Sequence, residues 1–263
     1  MAAKPKLGQN FLRDPQAIER IVAALGEIGD RTVVEIGPGR GAITELLAAR
    51  AGRLIAVELD EELAKDLEDR FAGKLTIHRQ DVLNFDFTAA VADGKLLVVG
   101  NLPYYITSPI LLHLADHAEA IERAVLMTQR EVADRVTAEP SSRDYGLLTV
   151  TMQLYGKTQS LFTLPPGAFS PPPEVYSTVF RWNFAPRATE LGVEEQSFIT
   201  LLRQTFQQKR KTLANNLRAA GYEPATISHT CEIAGISPGI RAEALAIEQF
   251  AGLWKAIHRP AAG

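Results

Sequence analysis

A single cysteine in 263 residues, Cys231, excludes an internal disulfide framework and, with no second thiol nearby, a cysteine cage for a metal. No apolar run approaches membrane-spanning length, and Met1-Ala2-Ala3-Lys4-Pro5-Lys6 has no signal-peptide core behind it. A soluble, cytoplasmic protein with no membrane partner is expected. A basic excess is missing too. The 28 Lys and Arg against 31 Asp and Glu leave a formal charge of -3, which does not announce a nucleic-acid binder. Internal repeats and low-complexity tracts are absent. What is there, 46% hydrophobic and 22% charged residues, is the balance of a globular chain with ample core material.

The distribution of charge says more than its sum. Arg203, Lys209, Arg210, Lys211 and Arg218 follow one another with no Asp or Glu in the interval. Such a run is ordinarily a solvated helix face, and it is also what phosphate contacts need. Lys4 and Lys6 form a smaller basic start.

Read in order, the chain alternates strand and helix patterns. Asp14-Pro15 reads as an N-cap with proline at the first helical position, opening a helix that runs to about Leu25. Residues 32–36 read as a strand running into Gly37-Pro38-Gly39-Arg40-Gly41. Residues 54–58 and 75–78 read as further strands, and the apolar run 96–99 as a fourth. The rhythm continues through residues 124–127, 130–136 and 147–155. Residues 160–164 and 175–182, joined by a proline-rich connection, read as an antiparallel pair closing the sheet edge. This is the pattern of an α/β fold, a mostly parallel, doubly wound sheet with helices on both faces. Beyond Asn183 only helical patterns appear, at 196–206, 212–219, 227–234 and 242–257. A small all-α C-terminal domain is therefore expected, dividing the chain into 1–183 and 184–263.

The fourth strand delivers Gly100 and then Asn101-Leu102-Pro103-Tyr104 to the C-terminal edge of the sheet, where open α/β sheets bind ligands. The Asn101 side-chain oxygen is an acceptor, and Pro103 fixes the backbone so that the Leu102 carbonyl can stand beside it as a second. Two acceptors suit one exocyclic NH2 group of a base. Tyr104 supplies a face on which a flipped base can stack. The plainer reading is a strand-ending turn with a buried tyrosine.

The glycine turn is ambiguous by itself. Gly37, Gly39 and Ala42 satisfy the dinucleotide-binding fingerprint, and Glu58 lies about where a ribose-binding acid belongs, so an NAD-dependent oxidoreductase is a rival. Glu35 argues against it, because a carboxylate there would face a pyrophosphate. The cationic sulfonium and amino groups of S-adenosylmethionine would welcome it. In that reading Gly37, Gly39 and Gly41 leave room for the methionine part, Glu58 accepts from the ribose hydroxyls, and Asp81, with Val82 beside it, accepts from the adenine amino group.

Taken together, Gln9-Asn10-Phe11-Leu12, Glu35 to Gly41, Glu58, Asp81, Asn101 to Tyr104, the Phe169-Ser170-Pro171-Pro172-Pro173-Glu174-Val175 segment and Phe206 to Leu213 resemble the ribosomal RNA adenine N6,N6-dimethyltransferases over nearly the whole chain. Within that family the chain is most similar to the bacterial small-subunit enzymes. The resemblance implies a Rossmann-like class I methyltransferase domain over 1–183 and a helical RNA-binding domain over 184–263. It implies S-adenosylmethionine as cofactor, with Asn10, Leu12, Gly37, Glu58, Asp81 and Asn101 lining its site, and Tyr104 and Phe169 sandwiching the target adenine. The substrate it implies is two adjacent adenosines in the 3'-terminal hairpin loop of small-subunit (16S) ribosomal RNA. A monomer acting within an immature small ribosomal subunit is expected, with the basic run and the N-terminal lysines on phosphates.

One departure is Tyr105, where relatives often carry Asn. A large-subunit ribosomal RNA methyltransferase and a non-catalytic assembly factor on the same fold remain as alternatives. His113 and His117 have the spacing of two metal ligands on a helix, but no third ligand is evident, and no metal is expected.

Overall fold

The computed structural model describes residues 10–258, so Lys4, Lys6 and Gln9 lie outside the described residues. The chain separates into two compact units. The first holds the residues up to Asp134 together with Lys157–Ala185, and the second holds Arg135–Gly156 and the residues from Pro186 onward. The sequence division at 183/184 differs by one segment. Residues 147–155, read there as part of the sheet's alternation, form a helix whose partners are in the second unit.

In the first unit, strand β1 (Phe11–Leu12) precedes helix α1 (Pro15–Ala24), and β2 (Thr32–Ile36) precedes α2 (Thr44–Arg50). Then come β3 (Arg53–Glu58), α3 (Glu61–Arg70), β4 (Thr76–Arg79), β5 (Leu96–Asn101), α4 (Thr107–Asp116), β6 (Ile121–Gln129) and α5 (Arg130–Val136), the last running two residues past the unit boundary. Asp14 caps α1 by accepting from the Gln16 and Ala17 amides at 2.9 and 3.2 Å, which satisfies donors a helix start leaves open.

The main sheet has seven strands in the order β4-β3-β2-β5-β6-β9-β7, where β7 is Gly156–Leu164 and β9 is Ser177–Phe184. Strands β4 through β6 run parallel, and β9 is antiparallel to β6. The Thr163–Thr178 and Gln159–Arg181 side-chain bonds run in opposite chain directions, as the expected antiparallel edge pair requires. Strand β2 is buried along its whole length and β5 in all but its last residue, which is why both read as near-continuous apolar runs. The order reverses beside β2, and the loops after β2 and β5 open there, at the switch point where such sheets bind ligands.

A second, two-stranded sheet was not legible in the sequence. Phe11–Leu12 pairs antiparallel with β8 (Phe169–Ser170), placing Leu12 opposite Phe169 and Phe11 opposite Ser170. Two-residue strands carry no periodicity to read.

The second unit contains α6 (Leu147–Tyr155), α7 (Ala188–Leu191), α8 (Glu195–Thr205), α9 (Leu213–Ala219), α10 (Pro224–Ile233) and α11 (Ile247–His258). The pattern read at 242–257 divides into a 3-10 turn, Ala242–Ala244, and α11. Phe198, Leu202, Leu213, Phe250 and Leu253 are fully buried, and the Tyr145 hydroxyl donates to the Leu245 carbonyl at 2.8 Å. Arg187 joins α7 to α11 by ion pairs with Glu190 and Glu248 at 2.9 and 2.8 Å. Among the described residues no helix is long and apolar enough to cross a membrane.

Candidate active site

One pocket at the C-terminal edge of the first unit's sheet is lined by residues from five chain segments: Asn10 to Leu12, Glu35 to Ile43, Val57 to Leu59, Gln80 to Val82, and Asn101 to Ile106. It brings together Asn10, Leu12, Glu35, Gly37, Gly39, Glu58, Asp81, Val82, Asn101, Leu102, Pro103 and Tyr104. Two of the sequence candidates are elsewhere. Gly41 is outside the lining; a Cβ there would meet Leu67 Cδ2 at 2.7 Å, so its glycine serves packing against α3. Phe169 is 3% exposed, belongs to the core cluster with Leu12 and Val179, and makes no ring contact with Tyr104. It stands opposite Leu12 in the two-stranded sheet, outside the pocket lining.

The acids sit at strand ends because hydrophobic strands deliver them there. Glu35, in the central strand β2, is 2% exposed and accepts from the Thr44 hydroxyl at 2.7 Å. Burial pushes its carboxyl up to about 7; the Thr44 bond opposes the shift and the neighbouring Glu58 charge adds to it. Glu58, ending β3 and 3% exposed, accepts the Gly39 amide on Oε2 and the Asp60 amide on Oε1, both at 3.0 Å. These bonds fix the carboxylate plane while leaving each oxygen a second lone pair. Asp81 Oδ1 accepts the Leu83 amide at 2.9 Å and caps a 3-10 turn, leaving Oδ2 for a ligand.

Among the described residues neither Glu35 nor Glu58 has a Lys or Arg partner. The cation in the lining, Arg40, lies over the Phe11 ring at 4.5 Å. Two buried carboxylates without a counter-charge suit a ligand that brings positive charge, as S-adenosylmethionine does, and oppose a pyrophosphate. The glycine turn fits the same ligand. Gly39 has φ +56°, and a Cβ there would lie 2.9 Å from the Phe11 ring, so a side chain would close the space between turn and ring.

The Asn101 loop is held from several directions. Asn101 Nδ2 donates to the Asn10 carbonyl at 2.9 Å, so the amide nitrogen is committed to the protein. Oδ1 accepts no hydrogen bond among the described residues, and neither does the Leu102 carbonyl. The Leu102 amide is tied to the Met127 carbonyl at 2.9 Å, and the Pro103 carbonyl accepts from the Ile106 amide and the Thr107 hydroxyl. The Tyr104 hydroxyl shares a 2.8 Å hydrogen bond with Ser177, and burial raises its pKa against that bond. Two acceptors without protein donors, on a rigid loop beside an aromatic ring, form a receptor for an amino group on a planar base.

Sequence reasoning missed Phe11, Arg40, Leu59 and Ile106 in the lining, and Thr44 and Ser177 behind it. Of these only Phe11 carried a signal, standing between two residues already singled out. His113 and His117 are committed elsewhere, His113 Nε2 to the Phe85 carbonyl and His117 Nδ1 to the His113 carbonyl, both at 2.9 Å.

The basic run lies in the second unit. Arg203, Lys209, Arg210, Lys211 and Arg218 are exposed, and among the described residues none pairs with a carboxylate. Buried Asn216 anchors the turn that presents them: Nδ2 donates to the Thr205 carbonyl at 2.7 Å and Oδ1 accepts the Gln208 amide at 3.0 Å. Lys211 and Arg218 share a shallow groove with Gln208, Asn215 and Ala219.

Comparison with known proteins adds to this geometry. The family described as ribosomal RNA adenine dimethylase matches residues 1–259. A ribosomal RNA small subunit methyltransferase A from Acidobacterium capsulatum is 62% identical over 97% of this chain and 91% of that protein. One of the same name from Koribacter versatilis is 47% identical over 98% of this chain and 95% of its own. Among solved structures, a dimethyladenosine transferase from Plasmodium falciparum superposes with a TM-score of 0.76 at 23% identity, covering 92% of this chain and 95% of that one, a likeness of fold. The 23S rRNA methyltransferase ErmE superposes with a TM-score of 0.72 at 27% identity, covering 94% and 99%. The sheet with its helices is thus a Rossmann-like class I methyltransferase fold, and the chain belongs to the ribosomal RNA adenine dimethylase family.

Proposed function

We propose that the protein transfers methyl groups from S-adenosylmethionine to N6 of two adjacent adenosines in the 3'-terminal hairpin loop of 16S ribosomal RNA, giving N6,N6-dimethyladenosine. The observation that carries this reading is the commitment of Asn101 Nδ2 to the Asn10 carbonyl, which leaves Oδ1 and the Leu102 carbonyl as a pair of acceptors.

When bound, S-adenosylmethionine supplies an electrophilic methyl group on a sulfonium. Glu35, Glu58, Asp81 and the turn at Gly37 and Gly39 are the residues that would hold it. The rest concerns the base. Adenine N6 is a weak nucleophile because its lone pair is delocalised into the ring. Asn101 Oδ1 and the Leu102 carbonyl accept its two hydrogens, and Tyr104 holds one face of the ring. The nitrogen can then pyramidalise and direct its lone pair away from the acceptors. Alignment and electrostatics supply the rate, and no strong general base is needed. Each transfer replaces one N6 hydrogen by methyl and releases one proton, which leaves to water. The monomethyl product retains one hydrogen for the same acceptors, so the site can act twice.

A base reaches these acceptors only from a single strand or loop, since a duplex hides its edges. In this reading the first unit is the methyltransferase domain and the second binds RNA, with Arg203, Lys209, Arg210, Lys211 and Arg218 on phosphates. The protein works in the cytoplasm as a monomer, on RNA within an immature small ribosomal subunit.

The test is to supply labelled S-adenosylmethionine with unmodified small subunits and, separately, with large subunits, then locate the label in RNA fragments and identify the modified nucleosides by mass spectrometry. N6,N6-dimethyladenosine at the two adjacent 3'-terminal loop positions is expected. Label confined to large-subunit RNA would replace the substrate, and no label on either would refute the reaction.

A further inference from the structure

The lining contains an aromatic ring that the mechanism leaves unused. Tyr105 is 63% exposed, the most exposed large apolar or aromatic side chain among the described residues, and lines the pocket immediately after Tyr104. Its backbone is not loose. It lies in the 3-10 turn Tyr104–Ile106, and the Pro103 carbonyl clamps that turn by accepting the Ile106 amide at 3.2 Å and the Thr107 hydroxyl at 3.0 Å. A rigidly mounted, solvent-facing ring contributes little to folding and is well suited to stacking, because little freedom is lost on contact.

A second exposed ring reaches the same neighbourhood through Ser177. The Tyr104 hydroxyl is bonded to Ser177, and Tyr176, the preceding residue, is 50% exposed. The Arg130 guanidinium lies 5.6 Å from the Tyr176 ring centre, and the Arg130 amide donates to the Tyr176 carbonyl at 2.9 Å. Asp134, the carboxylate paired with Arg130, is 4.0 Å away, so the guanidinium keeps donors free. Tyr104 is therefore flanked by one exposed ring next to it in sequence and by another, with a cation, next to its hydroxyl partner.

We infer that this rim is a binding site for the nucleotides flanking the target adenosine, with Tyr105 stacking the adjacent unpaired base and Tyr176 with Arg130 receiving the strand as it leaves. The inference rests on the function proposed above and adds to it a reason for acting on adjacent adenosines. Extruding one base into a pocket strips its neighbour of a stacking partner, which opposes the extrusion. A tyrosine at the mouth replaces the lost stack, and because every base has a π face it can hold whichever member of the pair is outside.

The experiment uses the full chain with S-adenosylhomocysteine and an RNA hairpin carrying two adjacent loop adenosines, one replaced by 2-aminopurine. That analogue has no 6-amino group for Asn101 and Leu102, so the pocket takes the true adenine and the probe reports the rim. Wild type and Tyr105→Phe should quench its fluorescence by stacking. Tyr105→Ala should lose the quenching and bind the hairpin roughly 5- to 150-fold more weakly, whereas Tyr105→Phe, which keeps the ring, should bind it as wild type does. Arg130→Gln should weaken binding and flatten its salt dependence. Wild-type quenching and affinity in Tyr105→Ala, and in Tyr176→Ala as the second variant, would overturn the inference. Because the readout is stacking and not methyl transfer, failure of the proposed reaction would show separately, in the nucleoside assay.

Discussion

The side-chain amide of Asn101 donates from Nδ2 to the main-chain carbonyl of Asn10 at 2.9 Å, across 91 residues of sequence. The bond orients the amide, because a flipped Asn101 would set its oxygen against the carbonyl. It also joins two parts of the site. Two residues after Asn10, Leu12 pairs with Phe169, and the next amide, Arg13, donates to the Ala168 carbonyl at 2.8 Å. The segment from Asn10 to Arg13 is thus a strap from the acceptor loop to the Phe169 segment.

Glu35 gives the protein a pH signature. Its carboxyl stands at about 7 in the folded chain against an ordinary value of 4.5, chiefly because it is buried. The folded state therefore holds the proton more tightly than the unfolded one. Stability from this group is greatest below about pH 4.5 and declines as pH rises towards 7, by up to about 3 kcal/mol. Glu35→Gln should remove that part of the decline. Denaturant unfolding of both proteins at pH 5 and pH 7.5, compared as a difference, measures it. A cationic cofactor favours the ionised carboxylate, so its affinity should rise through the same interval in wild type and not in the variant.

Phe169 separates a packing role from a recognition role. Removing a core ring costs about 3 to 5 kcal/mol of stability, whereas losing a base stack costs about 1 to 3 kcal/mol of RNA binding. Phe169→Ala should show the first by thermal or chemical unfolding. If Phe169 also contacts the base once RNA is bound, the folded variant should bind unmodified small subunits more weakly as well. Wild-type turnover per folded molecule would leave it a core residue alone.

The basic run should be read by salt. Replacing Lys209, Arg210 and Lys211 by Gln removes three cations, one of which, Lys209, also donates to the Arg143 carbonyl at 3.2 Å. At about 0.7 per single-strand phosphate contact, the slope of log affinity against log salt should flatten by about 2. Titration of small subunits at several salt concentrations gives the slope, and an unchanged slope would place the phosphates elsewhere.

Much of this site was legible because its chemistry is carried by residues at the ends of regular elements. Glu35, Glu58 and Asn101 fall where period and composition switch from strand to turn, and so they could be numbered before any geometry was known. Tyr104 followed from Asn101. What was not legible depends on tertiary contact. The pairing of Phe11–Leu12 with Phe169–Ser170 involves strands too short to have a period. The burial of Phe169 depends on that pairing, and the hydroxyls of Thr44 and Ser177 are placed by the packing of α2 and β9. The domain division shows the same limit. Residues 147–155 follow the sheet in sequence, but Tyr155 donates to Glu195 and the Arg187 amide donates to the Leu154 carbonyl, contacts that sequence order does not announce.

The most direct measurement compares wild type with Asn101→Ala on unmodified small subunits under single-turnover conditions, with S-adenosylmethionine affinity measured separately by calorimetry. Loss of one preorganised polar partner at a reacting centre costs on the order of 100- to 1000-fold in rate. The account expects at least that loss in methyl transfer, with cofactor binding still measurable. Transfer at the wild-type rate would contradict it, because the pair of acceptors formed by Asn101 and Leu102 would then not be what aligns the adenine N6.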